Sequence, residues 1–274
     1  MLQQSSTPFN SIPPVLPTSD PISQSALNQL EQTSQWIRKA QEYACSRPRL
    51  SVIIPAFNEM PTIVQVVESV ANLDIHKQII IVDDGSTDGT RETIQSFQGR
   101  EGFDVILHES NQGKGAAIQT GIRMAIGDAV IVQDADLEYD PRDILRVIQP
   151  ILDGETDVVF GSRYLSNCSQ DQSALHRFGN GVLTGLSNWM TRQHLTDMET
   201  CYKAFRRELL QSINIEQNRF GFEPEITAKL ARRGIVIREV PIRYSSRSWK
   251  EGKKIGIKDL FSTLWCIVKY RFSN

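Results

Sequence analysis

The chain has 274 residues, 40% of them hydrophobic, and its 30 Lys and Arg against 32 Asp and Glu leave a net charge of −2. That is enough chain to bury one large core or two modest ones, and too balanced a charge to draw nucleic acid or an anionic membrane except through a local patch. Cys45, Cys168, Cys201 and Cys266 are scattered, with no Cys-x-x-Cys pair and no histidine cluster, which argues against structural zinc or a disulfide framework and fits a reducing cytosol.

Residues 1–23 are rich in Ser, Pro and Gln and are expected to be disordered. Leu27, Leu30, Ile37, Ala40, Tyr43 and Ala44 recur at helical spacing, so an amphipathic helix packed on the following domain is expected within residues 24–48. Residues 49–242 then alternate. β-Branched runs at Leu50–Ile54, Gln78–Val82, Asp104–Leu107, Ala129–Val132 and Asp157–Phe160 predict strands, with helical stretches near Pro61–Asn72, Asp88–Phe97, Lys114–Ile126 and Pro141–Leu152 between them. Thr87/Asp88 and Asp140-Pro141 are N-terminal helix signals. The alternation predicts an α/β fold with a mainly parallel central sheet and helices on both faces, whose ligands sit beyond the carboxyl ends of the strands. Residues 243–274 read as a basic loop and a C-terminal amphipathic helix. Arg243–Lys258 carries six basic residues against one acid, and Ile257, Leu260, Phe261, Leu264, Trp265 and Val268 follow at helical spacing. No run of 18 apolar residues and no charged-then-apolar leader occurs, so a cytoplasmic protein is expected, with at most peripheral membrane contact and no nucleic-acid partner.

Polar groups follow the apolar runs at four strand ends. Val130-Ile-Val-Gln-Asp134-Ala-Asp136-Leu-Glu138 takes a strand straight into three alternating acids. Residues i and i+2 of extended chain point the same way, so Asp134, Asp136 and Glu138 can converge on one point. Such all-oxygen donors suit a hard divalent cation, Mg²⁺ or Mn²⁺, with diphosphate oxygens completing its shell; taken alone, the triplet reads better as an acidic turn. Asp83-Asp84-Gly85-Ser86 also has two readings. It is turn and cap chemistry, or a carboxylate accepting from a base or a ribose, with Asp84 the better placed. Asn111-Gln-Gly113-Lys114-Gly115 opens a helix and suits an anion, although it lacks the first Gly and the Ser/Thr of a P-loop; the other reading is a flexible entry turn.

Together these segments resemble the family-2 glycosyltransferases with a GT-A-type, Rossmann-like fold, and among them the dolichyl- and undecaprenyl-phosphate sugar transferases. The resemblance runs from about Leu50 to about Ile257. It rests on Val52-Ile-Ile-Pro-Ala-Phe-Asn-Glu59, Val82-Asp-Asp-Gly-Ser86, Gln133-Asp-Ala-Asp-Leu-Glu138 and Gly161-Ser-Arg-Tyr164. Further on come Asp197-Met-Glu-Thr-Cys-Tyr-Lys-Ala-Phe205, Gly221-Phe-Glu-Pro-Glu225, and Arg247 with Gly252-Lys-Lys-Ile-Gly256. It implies that Pro55, Phe57, Glu59, Val82 and Asp84 contact the nucleotide, that Asp134 and Asp136 hold the metal and diphosphate, and that Arg163, Arg247 and Lys253 or Lys254 contact phosphate. Ala135 and Lys114 complete the substrate-binding set. Glu138 stands where that branch often has Gln, so the third metal ligand stays open. The stretch from Arg247 to Gly256 is one residue longer than the family pattern, which leaves open the choice between the two lysines.

The implied activity is metal-dependent, inverting transfer of mannose or glucose from a nucleoside-diphosphate sugar to a polyprenyl phosphate, with Asp136, Arg163 and Asp197 as catalytic candidates. A phosphate acceptor, with a second pKa of about 6, is already anionic and needs cations more than a base. A hydroxyl acceptor, as in polysaccharide or glycolipid synthesis, needs the base. Asp197 is the candidate for that base, or else orients Lys203 or Arg177. His176 and Arg177 fall in a glycine-bearing segment read as a mobile acceptor loop, and one of Glu223 and Glu225 is expected to be a helix-dipole partner. The basic loop suits phosphate or an anionic membrane surface, and the helix after it either lies at that surface or docks on the core. The reading of another class is a nucleotide-sugar-binding regulator without turnover, against which the intact acids and the basic loop argue. A phospho-receiver module, suggested by Asp83-Asp84, fails on length and has no place for the acidic triplet.

Overall fold

The computed structural model describes residues 26–31, 33–34, 48–165, 174–219, 221–246 and 257–272. The chain divides into two units, Met1–Ser46 and Arg47–Asn274. In the first, residues 26–31 and 33–34 are helical, and the stretch 1–23 lies outside the described residues.

The second unit is built on seven strands: β1 (Leu50–Ala56), β2 (Lys77–Asp83), β3 (Phe103–Leu107), β4 (Ala129–Val132), β5 (Val158–Ser162), β6 (Lys203–Arg206) and β7 (Arg238–Pro241). Their order is β3-β2-β1-β4-β6-β5-β7, and every pair is parallel except those of β6, which runs antiparallel to both β4 and β5. The helices are α1 (Ile63–Ala71), α2 (Thr90–Gln95), α3 (Lys114–Met124), α4 (Ile144–Leu152), α5 (Ala174–Thr191), α6 (Arg207–Gln211), α7 (Phe222–Arg232) and α8 (Ile257–Phe272). The two N-terminal signals act as read. Asp140 accepts from the Arg142 N–H at 2.9 Å with Pro141 behind it, and Asp88 accepts from the Thr90 N–H at 3.0 Å.

Two-residue periodicity splits the core between the faces of the sheet. Val52 and Ile54 of β1 and Ile79 and Ile81 of β2 pack with α1, α2 and α4. Their alternates Ile53, Ile80 and Val82 pack on the other face with α3, α5, α7 and α8. Both faces are covered, which is why these strands read as unbroken apolar runs. β2 lies on one side of β1 and β4 on the other, so the crossovers diverge there and leave a crevice beyond the strand ends.

The glycine-bearing segment that includes Arg177 is helical rather than a loop: it forms α5. Asn180, Leu183, Thr184 and Ser187 are all buried and fall at i, i+3, i+4 and i+7, one continuous face whose packing outweighs the helix cost of Gly179, Gly181 and Gly185. His176 has its side chain outside the described set. α8 docks on the core through Cys266, Ile267 and Tyr270, with Trp265 and Phe272 exposed.

Helix α3 crosses β1 closely enough that a Cβ on Gly121 would lie 2.4 Å from Ile53 Cγ2. Replacing Gly121 with Val is therefore expected to overpack this contact and cost about 1–3 kcal/mol, read as a lower urea midpoint at an unchanged m-value.

Candidate active site

The β4 end is set by its ladder with β1. Ile53 pairs with Val132, and the Gln133 N–H extends the ladder to the Ile53 carbonyl at 2.9 Å, so the chain leaves the sheet at Asp134. Thr62 donates to the Ala135 carbonyl at 2.8 Å and fixes the turn from the β1 side. Asp136 accepts from the Glu138 N–H at 3.2 Å, and Asp134 pairs with Lys114 Nζ at 2.7 Å. Glu138, left open as the third metal ligand, accepts from the Tyr244 hydroxyl through one carboxylate oxygen at 2.9 Å. Among the described residues no three His, Cys, Asp or Glu side chains gather into a metal cage.

Lys114 also lies 3.1 Å from Cys201 Sγ and 3.8 Å from Glu223. Burial works to lower its ammonium pKa, and Asp134, Cys201 and Glu223 together overcome that and hold it well above the usual lysine range. The glycines around it stand against the chain at 217–219. Ala116 N–H, in the first turn of α3, donates to the Asn218 carbonyl at 3.0 Å. A Cβ at Gly113 would meet Asn218 O at 2.3 Å, and one at Gly115 would meet Gln217 O at 2.1 Å. Both glycines admit a crossing backbone.

On the nucleotide side, Pro55 and Val82 are register partners at the ends of β1 and β2, and both side chains are buried, Val82 within the core. Phe57 and Glu59 are half-buried on the loop that follows β1. That loop turns through Asn58, whose φ of 54° is a left-handed conformation Asn tolerates, and whose side chain accepts from the Thr87 N–H at 2.9 Å. Asp84 is buried, accepting from the Gln112 and Gly113 N–H groups of the loop before α3 at 3.0 and 2.7 Å and lying 2.8 Å from His108 Nδ1. A carboxylate has about four acceptor positions, so most of the capacity of Asp84 serves the fold. Asp83 is taken by Arg91 at 2.7 Å.

The remaining groups reach this end because β6 is reversed. An antiparallel strand brings its N-terminal approach to the carboxyl ends of its parallel neighbours. Phe160 pairs with Lys203 and Ile131 with Ala204, so residues 197–202 run beside the ends of β4 and β5. There Asp197 accepts from Arg163 Nε and Nη2, both at 2.7 Å, from the Arg163 N–H at 3.0 Å and from Asn180 at 3.1 Å. Burial pushes the Asp197 carboxyl up, and Arg163 more than reverses this and holds it below the usual carboxylate range. Asp197 therefore positions Arg163, rather than Lys203 or Arg177. Lys203 is fully buried and donates to the Met198 and Thr200 carbonyls, each at 2.6 Å. Glu223 and Glu225 both fall in the first turn of α7, and Glu225 accepts from the Glu216 and Gln217 N–H groups at 2.8 Å, ahead of the helix, and from Lys229 at 2.6 Å.

Tyr244 and Ser245 join the acid loop to the basic arm, Ser245 N–H donating to the Glu138 carbonyl at 2.9 Å. Arg243 pairs with Asp140 at 3.0 Å and Asp143 at 2.9 Å. Arg247, Lys253 and Lys254 lie outside the described residues. Asp134, Lys114, Cys201, Glu223, Glu199, Lys203, Asp197 and Arg163 thus form one buried or half-buried charged line across the ends of β4 and β5. Cys201 and Glu199 were not anticipated; the Tyr202–Phe205 alternation that marks β6 was their available signal.

Residues 51–213 match the family described as Glycosyl transferase family 2. The chain belongs to that family. The transferase is 30% identical over 229 residues to an uncharacterised protein of Methanocaldococcus jannaschii, an alignment covering 80% of this chain and 92% of that one. It is 29% identical to the undecaprenyl-phosphate 4-deoxy-4-formamido-L-arabinose transferase of Aeromonas hydrophila, over 80% of this chain and 66% of that enzyme. In fold it is similar to glucosyl-3-phosphoglycerate synthase from Mycobacterium tuberculosis, solved with Mn²⁺, UDP and glucosyl-3-phosphoglycerate (TM-score 0.62, 22% identity, 82% of this chain and 80% of that one). The GT-A-type fold of the transferase, mostly parallel and Rossmann-like, is thereby established.

Removing Asp197 leaves the buried Arg163 without its counter-charge. The Asp197→Ala variant is expected to lose about 3–5 kcal/mol of stability in urea unfolding at neutral pH. The folded Asp197 pKa is depressed, so this stabilisation is present above the unfolded carboxyl pKa of about 4 and is lost as pH falls through the lower folded value. The difference between the wild type and Asp197→Ala should shrink across that acid window.

Proposed function

We infer that the transferase moves a hexose, mannose or glucose, from a nucleoside-diphosphate sugar to a polyprenyl phosphate with inversion at the anomeric carbon. The observation that carries this reading is the charged line from Asp134 to Arg163. It sets a carboxylate pair at one end of the crevice and a buried, preorganised guanidinium at the other. The polyprenyl-phosphate chemistry printed for the Aeromonas relative supports the acceptor. Asp197 is committed to Arg163, so the base that a hydroxyl acceptor would need is not supplied there.

Asp134 and Asp136, on alternate positions of an extended turn, are an all-oxygen pair that fits Mg²⁺ or Mn²⁺ and would hold it. Bound there, the ion neutralises charge on the departing diphosphate as a Lewis acid. Lys114 sets the orientation of Asp134, and Arg163, locked by Asp197, meets phosphate without reorganising. Transfer of label from GDP-mannose or UDP-glucose to a short-chain polyprenyl phosphate tests the reading. Lipid-extractable label that disappears with EDTA, and falls about a thousandfold or more in Asp136→Ala, is the expected result. Metal-dependent donor hydrolysis without lipid label would instead support a hydroxyl acceptor.

No helix among the described residues is long and apolar enough to cross a membrane. Two exposed apolar stripes support meeting a lipid-borne acceptor at a surface. Phe178, Val182 and Trp189 make an exposed stripe on α5, and Trp265, Val268 and Phe272 make another on α8, which packs against it. α5 contains no acid, and exposed Arg177 and Arg192 flank its stripe. Aromatic anchors with basic flanks suit an anionic bilayer surface. Substituting Trp265 and Phe272 by Ser together is expected to lower binding to anionic vesicles by about tenfold or more, measured by co-flotation, with transfer to a water-soluble short-chain acceptor unchanged.

A further inference from the structure

Glu199 has no part in the mechanism above, and its setting asks for a ligand. It stands on the approach to β6, between Asp197, which holds Arg163, and Cys201, which lies against Lys114. The residue is half-buried, and one of its carboxyl oxygens, Oε1, is buried and makes no hydrogen bond, which leaves the open side of the group to face a ligand. A buried polar oxygen with no partner is rare because it forfeits the bonds it would make in water, so each case asks for an explanation. The charged groups facing it are Glu223 from α7, Asp197 from its own loop, Lys203 from β6 and Arg163 from the end of β5. Both cations are already committed, Lys203 to two carbonyls and Arg163 to Asp197.

We propose that Glu199 is the acceptor-side hydrogen-bond donor of the site, holding a proton on its carboxyl group and offering that O–H to a phosphate oxygen of the acceptor. This rests on the phosphate-acceptor reading and adds a residue to it. An ionised Glu199 would place a third carboxylate beside Glu223 and Asp197 and would repel a dianionic phosphate. A neutral carboxyl group does neither. Burial, reinforced by Glu223, pushes the Glu199 carboxyl up to about 8, so it is mostly protonated at neutral pH. A carboxylic acid kept neutral by its site can act as a donor in this way.

The test is calorimetric titration of the full chain with farnesyl phosphate at about pH 7 and about pH 9.5, where the ligand is largely dianionic throughout. Wild-type affinity should fall on the order of thirtyfold between the two as Glu199 ionises. Glu199→Gln, whose amide N–H still donates, should lose little over the same range, and Glu199→Ala should bind weakly at both. Lys203 and Cys201 remain in the Gln variant, so an alkaline loss that persists in it belongs to them and overturns the proposal. Wild-type binding that does not change with pH also overturns it. A Gln variant that binds normally but transfers no sugar would make Glu199 a base, which overturns the donor role. Should Glu199→Ala fail to fold, the wild type and the Gln variant decide alone. Failure of the acceptor reading looks different, because the wild type then neither binds farnesyl phosphate nor labels lipid.

Discussion

A charge buried at the end of a sheet has to meet an opposite charge in fixed geometry, because isolating it costs more than any nearby contact returns. Arg163 and Asp197 satisfy that requirement with two side-chain bonds, a backbone bond and a supporting amide from Asn180. Much else follows from holding this pair. Ser162, at the end of β5, bonds the Thr196 hydroxyl at 2.6 Å, and Glu239 on β7 accepts from the Thr196 and Asp197 N–H groups at 2.7 and 3.0 Å. The buried face of α5 supplies Asn180. The segment entering β6 is therefore anchored on three sides, and Lys203 closes it from below by binding its carbonyls. Such scaffolding gives a guanidinium that needs no rearrangement to receive an anion.

The two ends of the charged line are stabilised by different means. At the Arg163 end the charges neutralise one another almost completely within the protein. At the Lys114 end one ammonium faces Asp134, Glu223 and the Cys201 thiol, so acids outnumber cations there. The line therefore carries an excess of acid at its Lys114 end and near-neutral pairing at its Arg163 end. The Tyr244–Glu138 bond adds a mechanical link, since the acid loop cannot shift without pulling on the start of the basic arm.

Four of the five strands anticipated from β-branched runs, β1, β2, β4 and β5, are buried on both faces, and burial of that kind leaves a plain mark on the sequence; β3, at the sheet edge, is half-buried throughout and shows through its β-branched residues alone. The Asp134–Asp136 pair was legible for the same reason, as acids at the point where an apolar run stops. β6 was not. Lys-Ala-Phe-Arg is four residues long with a cation at each end, and only its neighbours in space make Lys203 a buried residue. Glycine spacing in Gly113-Lys114-Gly115 reports that something approaches the backbone, not what approaches; the chain at 217–219 does so here. Glu138 has the spacing for a metal and also bonds a tyrosine more than a hundred residues away, a partner its spacing does not announce. Asp84, at the strand end as read, also holds the loop before α3. In each case a partner distant in sequence decided the outcome.

The reversed direction of β6 also bears on how the protein is made. β1 to β4 can pair with one another as the chain leaves the ribosome, since each strand finds its neighbour already synthesised. β5 cannot, because its partners in the finished sheet are β6 and β7, both encoded downstream. About 40 residues separate the end of β5 from the start of β6. At roughly 5–20 residues per second, that leaves an apolar strand waiting about 2–8 s for its first edge. During that interval Val158, Val159 and Phe160, all fully buried in the folded protein, depend on shielding by α4 or by a chaperone.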